Sequence, residues 1–402
     1  MSNVIPTCSL LAKETLAVIK NMIKFAGAVS RDYESEFTGN AARGYMPGQT
    51  INIKKPPRYT YRAGRVAVPQ ASTVTSIPIT LQQGGTEFNF NSLELTLTLS
   101  KFERTVEAAA AAVVNEIDRQ GLAMARLSTY NAIGTPGTLP TTQALALAAV
   151  TGLNQRLDEM GCPRDNQRTL IMNPAMNGAA VQGFAGLFNG QATLEKQFRR
   201  GVMVDSLGLA YAMSQNVDVH TNGTAVVATN TVNGANQSGS TITVAALNGT
   251  VTRGTKVTFA GCFAVNPQSR MTTATLAQFV VTADAAGAAT SLLISPAIVT
   301  SGAFQNVTAS PTNAGVITIF GTASGSYAAN VAYHQDAFTL AVVPMWSPGE
   351  KGEVDSASVE SDGFSLRVIK VYDGVNDNLI TRLDVLFGWA APYPELACIY
   401  GA

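Results

Sequence analysis

The sequence is poor in the side chains that usually carry chemistry. It holds two histidines, His220 and His334, and four cysteines, Cys8, Cys162, Cys262 and Cys398. The cysteines are scattered without a CxxC pair, which argues against a disulfide framework or a zinc site and for free thiols. No GxSxG, GxxxxGK[ST] or GxGxxG motif occurs. His334-Gln335-Asp336 sets an imidazole near a carboxylate, but no nucleophile motif accompanies it, so the histidine reads as structural. Asp373 to Asp377 lacks the oxygen ligands of a calcium loop and reads as a solvated turn. No catalytic residue, metal or cofactor is predicted. Charge is also scarce, at 13% of residues, against roughly 25% in ordinary soluble proteins. Lys and Arg total 27, and so do Asp and Glu. A net charge of zero argues against a basic footprint for phosphate or a membrane surface. It favours close packing of like copies, because self-repulsion is small. No apolar run is long enough to span a bilayer. Lys13, Lys20 and Lys24 interrupt any secretory h-region, so the chain is expected to be made and kept in the cytoplasm.

What is present is organised. A length of 402 residues predicts two or three domains. Leu11, Val18, Met22, Phe25 and Val29 fall on one face of a helix over about 10–29, either a docking arm or a core helix. Leu11, Val18, Met22 and Phe25 are its candidate docking residues. Ile51-Asn52-Ile53 is a short strand. The Pro-rich stretch after it carries the chain's one basic run, Lys54, Lys55, Arg58, Arg62 and Arg65, interleaved with Tyr59 and Tyr61; it could touch nucleic acid or, equally, acidic patches on a partner subunit. From Val66 to Leu99 the period is two, with Phe88 and Phe90 on one face and Gly84-Gly85 as a turn, which predicts a long β-hairpin. Such an arm is marginal alone in water and needs its own domain or a neighbour to lie on. Ser100 and Glu103 make a capping box. The helix behind it should run about 30 residues, a rod of roughly 45 Å, to Gly134. A second helix is expected from near Thr142 to Gly161, then a buried strand over Thr169–Met172.

Composition shifts sharply at Thr221. From there to Asn330 the only charged side chains are Arg253, Lys256, Arg270 and Asp284. Short alternating runs such as Lys256-Val257-Thr258-Phe259 predict a small all-β domain inserted into an α+β body. Strands return over Phe364–Val371 and Thr381–Phe387. In the second, Arg382 and Asp384 alternate with apolar residues, so it is expected to be half exposed or to pair its charges with a neighbour.

Several stretches, in order along nearly the whole chain, resemble the coat proteins of short-tailed bacteriophages. They include Arg31-Asp32-Tyr33-Glu34-Ser35-Glu36-Phe37, Gly48-Gln49-Thr50-Ile51-Asn52-Ile53-Lys54-Lys55-Pro56, and Phe88-Asn89-Phe90-Asn91-Ser92-Leu93-Glu94-Leu95-Thr96-Leu97. Gly261-Cys262-Phe263-Ala264-Val265-Asn266-Pro267-Gln268 resembles that family's Gly-Val-x-Ala-Val-Asn-Pro signature. Tyr333-His334-Gln335-Asp336-Ala337-Phe338, Arg382-Leu383-Asp384-Val385-Leu386-Phe387-Gly388 and Pro394-Glu395-Leu396-Ala397 follow. The resemblance implies the tailed-phage major capsid fold with an inserted immunoglobulin-like (telokin-like) domain. Its parts would be an N-terminal arm (1–48), an extended β-hairpin loop (49–99), and a peripheral domain with spine helix and the start of an axial domain (100–220). The inserted domain (221–332) and the axial domain with the return to the peripheral domain (333–402) complete it. It also implies a structural subunit, not an enzyme, located in the virion capsid. Pentamers and hexamers would enclose double-stranded DNA without sequence-specific binding. A scaffolding protein, a portal protein, possible decoration proteins and expansion on DNA packaging are implied as well. Lys54, Lys55, Arg58, Arg62, Arg65, Phe88, Phe90, Arg382 and Asp384 are candidate intersubunit contacts. In the family, the inserted domain can bridge capsomers through a charged loop. Here the matching stretch, 221–240, has no charge, so the feature on which that bridging rests is missing. An encapsulin-type compartment shares the fold but not the insert; a β-rich adhesin would need a secretion signal, and a hydrolase a nucleophile motif.

Overall fold

The computed structural model describes residues 24–32, 50–61, 64–66, 69–72, 74–91, 102–184, 205–226, 228–346, 355–361 and 364–402. In chain order the strands are β1 (Thr50–Lys54), β2 (Ser76–Thr80), β3 (Gln82–Asn91), β4 (Ala132–Ile133), β5 (Arg168–Met172), β6 (Ala210–Met213), β7 (Val219–Thr221), β8 (Asn230–Thr231) and β9 (Gly239–Thr243). They continue with β10 (Lys256–Val265), β11 (Thr272–Val281), β12 (Ser291–Ile298), β13 (Val316–Ile319), β14 (Ser326–His334), β15 (Thr339–Val343), β16 (Asp355–Ser361), β17 (Phe364–Asp373), β18 (Asn378–Ala390) and β19 (Ala397–Gly401). Three α-helices accompany them among the described residues: α1 (Phe102–Ser128), α2 (Gln143–Glu159) and α3 (Pro174–Phe184). The α+β class is as expected. At 27 residues, α1 is a rod of roughly 40 Å, and its Ala-rich run is the best of helix formers. Helix α2 starts where Thr142 accepts from Leu145 N. It stops at Gly161, whose φ of +76° suits a residue without Cβ. Helix α3 starts with Asn173 accepting from Met176 N at 2.8 Å and Pro174 at its first turn.

Two compact units divide the chain, one within 1–53, 76–121 and 339–390, the other within 54–75, 122–338 and 391–402. The first centres on β18. Strand β3 pairs with it antiparallel from Asn378↔Asn91 to Phe387↔Gln82. On its other side β17 and then β15 pair with it, and β16 lies outside β17. Strands β1 and β2 form a separate pair, and Ile53, Ile79, Leu81, Ala341 and Ala390 make one core cluster. The expected turn at Gly84-Gly85 is not a turn. Both glycines lie inside β3, and a Cβ at Gly85 would stand 2.8 Å from Asp384 Oδ1. They mark a close approach to β18. The chain instead goes out and back over 55–75, between β1 and β2.

The second unit holds two sheets. One runs β4-β19-β14-β5-β6, with β7 also on β14. Leu153, Leu157, Leu170, Met176, Phe184 and Tyr400 are among its buried core against α2 and α3. The other sheet runs β8-β13-β10-β11-β12-β9. Val232 bridges Val244, and Asn233 N→Thr243 O and Ala245 N→Thr231 O join its two end strands. The sheet is therefore a closed barrel, filled by Phe259, Phe279, Val257, Ile294 and their neighbours.

Candidate functional site

The candidate contacts fall in four places. In the basic run, Lys54 is exposed on the end of β1. Lys55 Nζ lies 5.1 Å from the Tyr393 ring centroid. Burial lowers its pKa, nearby Glu395 opposes that, and Arg58 reinforces it. Arg58 Nη2 meets Glu395 Oε1 at 3.0 Å. Arg270 Nη2 donates to Tyr59 O at 2.9 Å, and the Gln70 amide donates to Thr60 O at 2.7 Å. The root of the 55–75 arm is thus held by its own unit, while Arg65 is exposed, Tyr61 is 93% exposed and Val66 77%. Arg62 lies outside the described residues.

Phe88 and Phe90 share a face of β3, half-buried and edge to face at 5.7 Å. Asp384, 1% exposed, accepts from Arg367 Nη2 at 2.6 Å and from Arg382 Nε at 2.7 Å. The charges of β18 therefore have partners within the chain. Leu11, Val18 and Met22 lie outside the described residues. Phe25 is fully buried, 5.2 Å from the Trp389 ring.

Sequence reasoning missed what fixes that segment. Asp118, 2% exposed on α1, accepts from Lys24 N at 3.0 Å, Phe25 N at 3.3 Å and Ala26 N at 3.0 Å. Burial raises its pKa, and the three backbone donors oppose the rise. The signal was a lone carboxylate on an apolar helix face. Gly121 belongs to the same contact, since a Cβ there would stand 2.8 Å from the Phe25 ring. The β17–β18 turn was also missed as an apolar knob; Val375 is 92% and Tyr372 58% exposed.

No group of three or more potential metal ligands occurs among the described residues, and no helix among them is long and apolar enough to cross a membrane. Cys162, Cys262 and Cys398 are free and buried, and burial pushes their thiols up to about 11, 12 and 12. His334 is buried, with Nε2 3.1 Å from Asp165 and Nδ1 accepting from Asp336 N. Asp373 accepts from Val375 N and Asn376 within a tight turn.

A family profile described as "P22 coat protein - gene protein 5" matches residues 82–400. The chain belongs to the P22 coat protein family. Its fold is similar to that of a chain from Mycobacterium phage Che8, at 13% identity and TM-score 0.50 over 94% of this chain and 90% of that one. The mature capsid of bacteriophage PhiM1 aligns at 8% identity and TM-score 0.43, over 88% and 82%. The capsid of Myoviridae phage XM1 aligns at 9% and 0.40, over 100% and 96%. No curated protein sequence matches. This coat protein is a structural subunit of a phage head, resident in the virion capsid, and not an enzyme. The family match opens at β3, so the coat protein's 55–75 arm precedes the matched region.

Proposed function

We propose that this chain is the major capsid protein whose pentamers and hexamers close into an icosahedral head around double-stranded DNA. Assembly uses a scaffolding protein, a portal occupies one vertex, and the shell expands as DNA enters. Membership of the coat protein family over residues 82–400 carries this reading. The exposed end of the 55–75 arm and the apolar β17–β18 turn support it, because a coat subunit needs protruding elements to lay on its neighbours. In this reading Lys54, Arg62, Arg65, Phe88 and Phe90 meet neighbouring copies, and Leu11, Val18 and Met22 dock the N-terminal arm. Lys55, Arg58, Arg382 and Asp384 shape those surfaces through partners in their own chain.

Residues 221–332 act as an inserted domain. The barrel closes on itself, and the strands leading in and out of it pair side by side: Ser326↔Thr221, Tyr327↔His220 and Ala328↔Val219. Adjacent ends are what permits one domain to interrupt another.

The test is co-expression with the phage's scaffolding protein, followed by electron microscopy of sedimented particles. Closed shells of uniform diameter are expected. A subunit that stays monomeric at high concentration with the scaffold present would overturn the reading.

A further inference from the structure

Between the last turn of α1, the strand pair β7–β14 and the start of β10 lies a buried cluster with too many bases for its acids. Arg126 comes from α1, His220 from β7, Lys256 from β10 and Tyr327 from β14; Asp218, just ahead of β7, is the one carboxylate bonded into it among the described residues. Arg126 Nε donates to Asp218 Oδ2 at 2.6 Å. Arg126 Nη1 stands 2.9 Å from His220 Nδ1, and His220 Nε2 stands 3.1 Å from Thr255 Oγ1. Lys256 Nζ, 1% exposed as a residue, donates to Arg126 O and Gly254 O, both at 2.7 Å. The Tyr327 ring packs edge to face on His220 at 5.4 Å, and its hydroxyl has no partner among the described residues. Contact is close enough that a Cβ at Gly254 would stand 2.7 Å from Arg126 Nη1.

The geometry dictates protonation states. A guanidinium nitrogen only donates, so His220 Nδ1 must accept, and the proton of a neutral ring sits on Nε2, facing Thr255. A proton on Nδ1 would set N–H against N–H. Lys256 Nζ finds two carbonyl acceptors for its N–H groups. The carbonyl of Arg126 belongs to the C-terminal turn of α1, so the amine also satisfies one of the helix's open acceptors. We propose that this cluster is an acid-opened latch, which holds the barrel to the end of α1 while the His220 ring is neutral and lets go when it takes up a second proton. Released, the barrel stays tethered by the β7–β14 pair.

Burial, helped by Lys256 and Arg126, lowers His220 from 6.5 to about 4. Burial and Arg126 lower Lys256 well below its ordinary value. Both shifts act with one sign. Each base binds its proton more readily when the latch is open, so closure weakens as pH falls. For His220 the loss runs from pH 6.5 to about 4, which corresponds to roughly 300-fold in the opening constant.

Amide hydrogen exchange on the full chain tests this, with rates corrected for intrinsic pH dependence. The peptides to follow span 122–128 and 252–256, with barrel amides of 257–259 and the β7 amides of 219–221 as reference. Acidification from pH 7.5 to 4 should raise latch opening by two orders of magnitude or more while the barrel reference stays protected. His220→Gln should flatten that dependence. A flat wild-type profile would overturn the latch, as would barrel amides opening in step with it or a His220→Gln variant keeping the wild-type slope. Should His220→Gln fail to fold, His220→Asn serves in its place, and an unchanged slope there is enough to reject it.

Discussion

The barrel and the β18 sheet are both antiparallel, yet they resolve the same problem in opposite ways. The barrel joins its first strand to its last through Val232 and Val244, so every strand finds a partner inside the domain. It needs almost no charge, because its core does the work; its exposed positions hold Thr, Asn and Gly together with apolar Met271, Leu293 and Phe263. The β18 sheet is built around one long strand with β3, β17 and β15 paired to it, and it buries a carboxylate where an apolar residue would serve. One region is complete in a single chain. The other carries a buried charge cluster and the exposed turn at Val375.

The sharpest way to test the barrel's self-sufficiency is to hollow it. Phe259 is fully buried and packs on Phe279 at 5.4 Å. Phe259→Ala should cost about 4 kcal/mol, read as a lower denaturant midpoint. If the barrel is complete by itself, hydrogen exchange should rise within 230–319 and leave β17 and β18 protected. Equal loss in both regions would break the comparison.

In the β18 sheet the corresponding target is Asp384. Asp384→Ala strands Arg367, whose side chain is 12% exposed, more than Arg382 at 48%. The expected cost is about 3 kcal/mol. A double-mutant cycle should find stronger coupling of Asp384 to Arg367 than to Arg382, since the exposed guanidinium is rescued by water.

Asp118 predicts a smaller and more particular effect. Asp118→Ala removes the acceptor of three backbone donors and should cost about 2 kcal/mol. Asp118→Asn should cost less, for a reason of sign. Its folded pKa is raised, so the folded state binds the proton more tightly than the unfolded one. Stability from this group is greatest below the unfolded value of 3.8 and is lost as pH climbs through the raised folded value. A neutral side chain therefore sheds part of the ionised carboxylate's cost. Denaturant titrations of the two variants at pH 7 check the order; Asn worse than Ala would reject it.

How far the sequence carried depended on whether the signal was local. The start of α2 at Thr142, its stop at Gly161 and the charge-poor β segment after Thr221 rest on periodicity, caps and composition, and those elements lie where the signals put them; α1 follows its periodicity but ends at Ser128, ahead of the expected Gly134, and its expected cap Ser100 lies outside the described residues. Gly84-Gly85 failed because a glycine pair reads the same whether it turns the chain or admits a neighbouring backbone. Only β18, nearly 300 residues away, decides between the two. Asp118 and the Lys256 cluster were invisible for the same reason: their partners, residues 24–26 and Arg126, are remote in sequence.

The smallest stability effect belongs to the basic run, and there it is the contrast that informs. Lys54 is exposed, and the Arg58–Glu395 pair is 37% and 15% exposed, a setting in which ion pairs contribute at most about 1 kcal/mol. Reversal at Lys54, Lys55 and Arg58 to Glu should therefore leave subunit unfolding nearly unchanged. Arg58→Glu contributes most of any loss, because it faces Glu395. If these residues meet neighbouring copies, the same variant should lose most of its closed particles in a sedimentation assay, because each repulsive contact is repeated around every capsomer. Stability and assembly would then separate in one variant. Wild-type particle yield from the triple reversal would mean that the run serves only to fasten the root of its own arm.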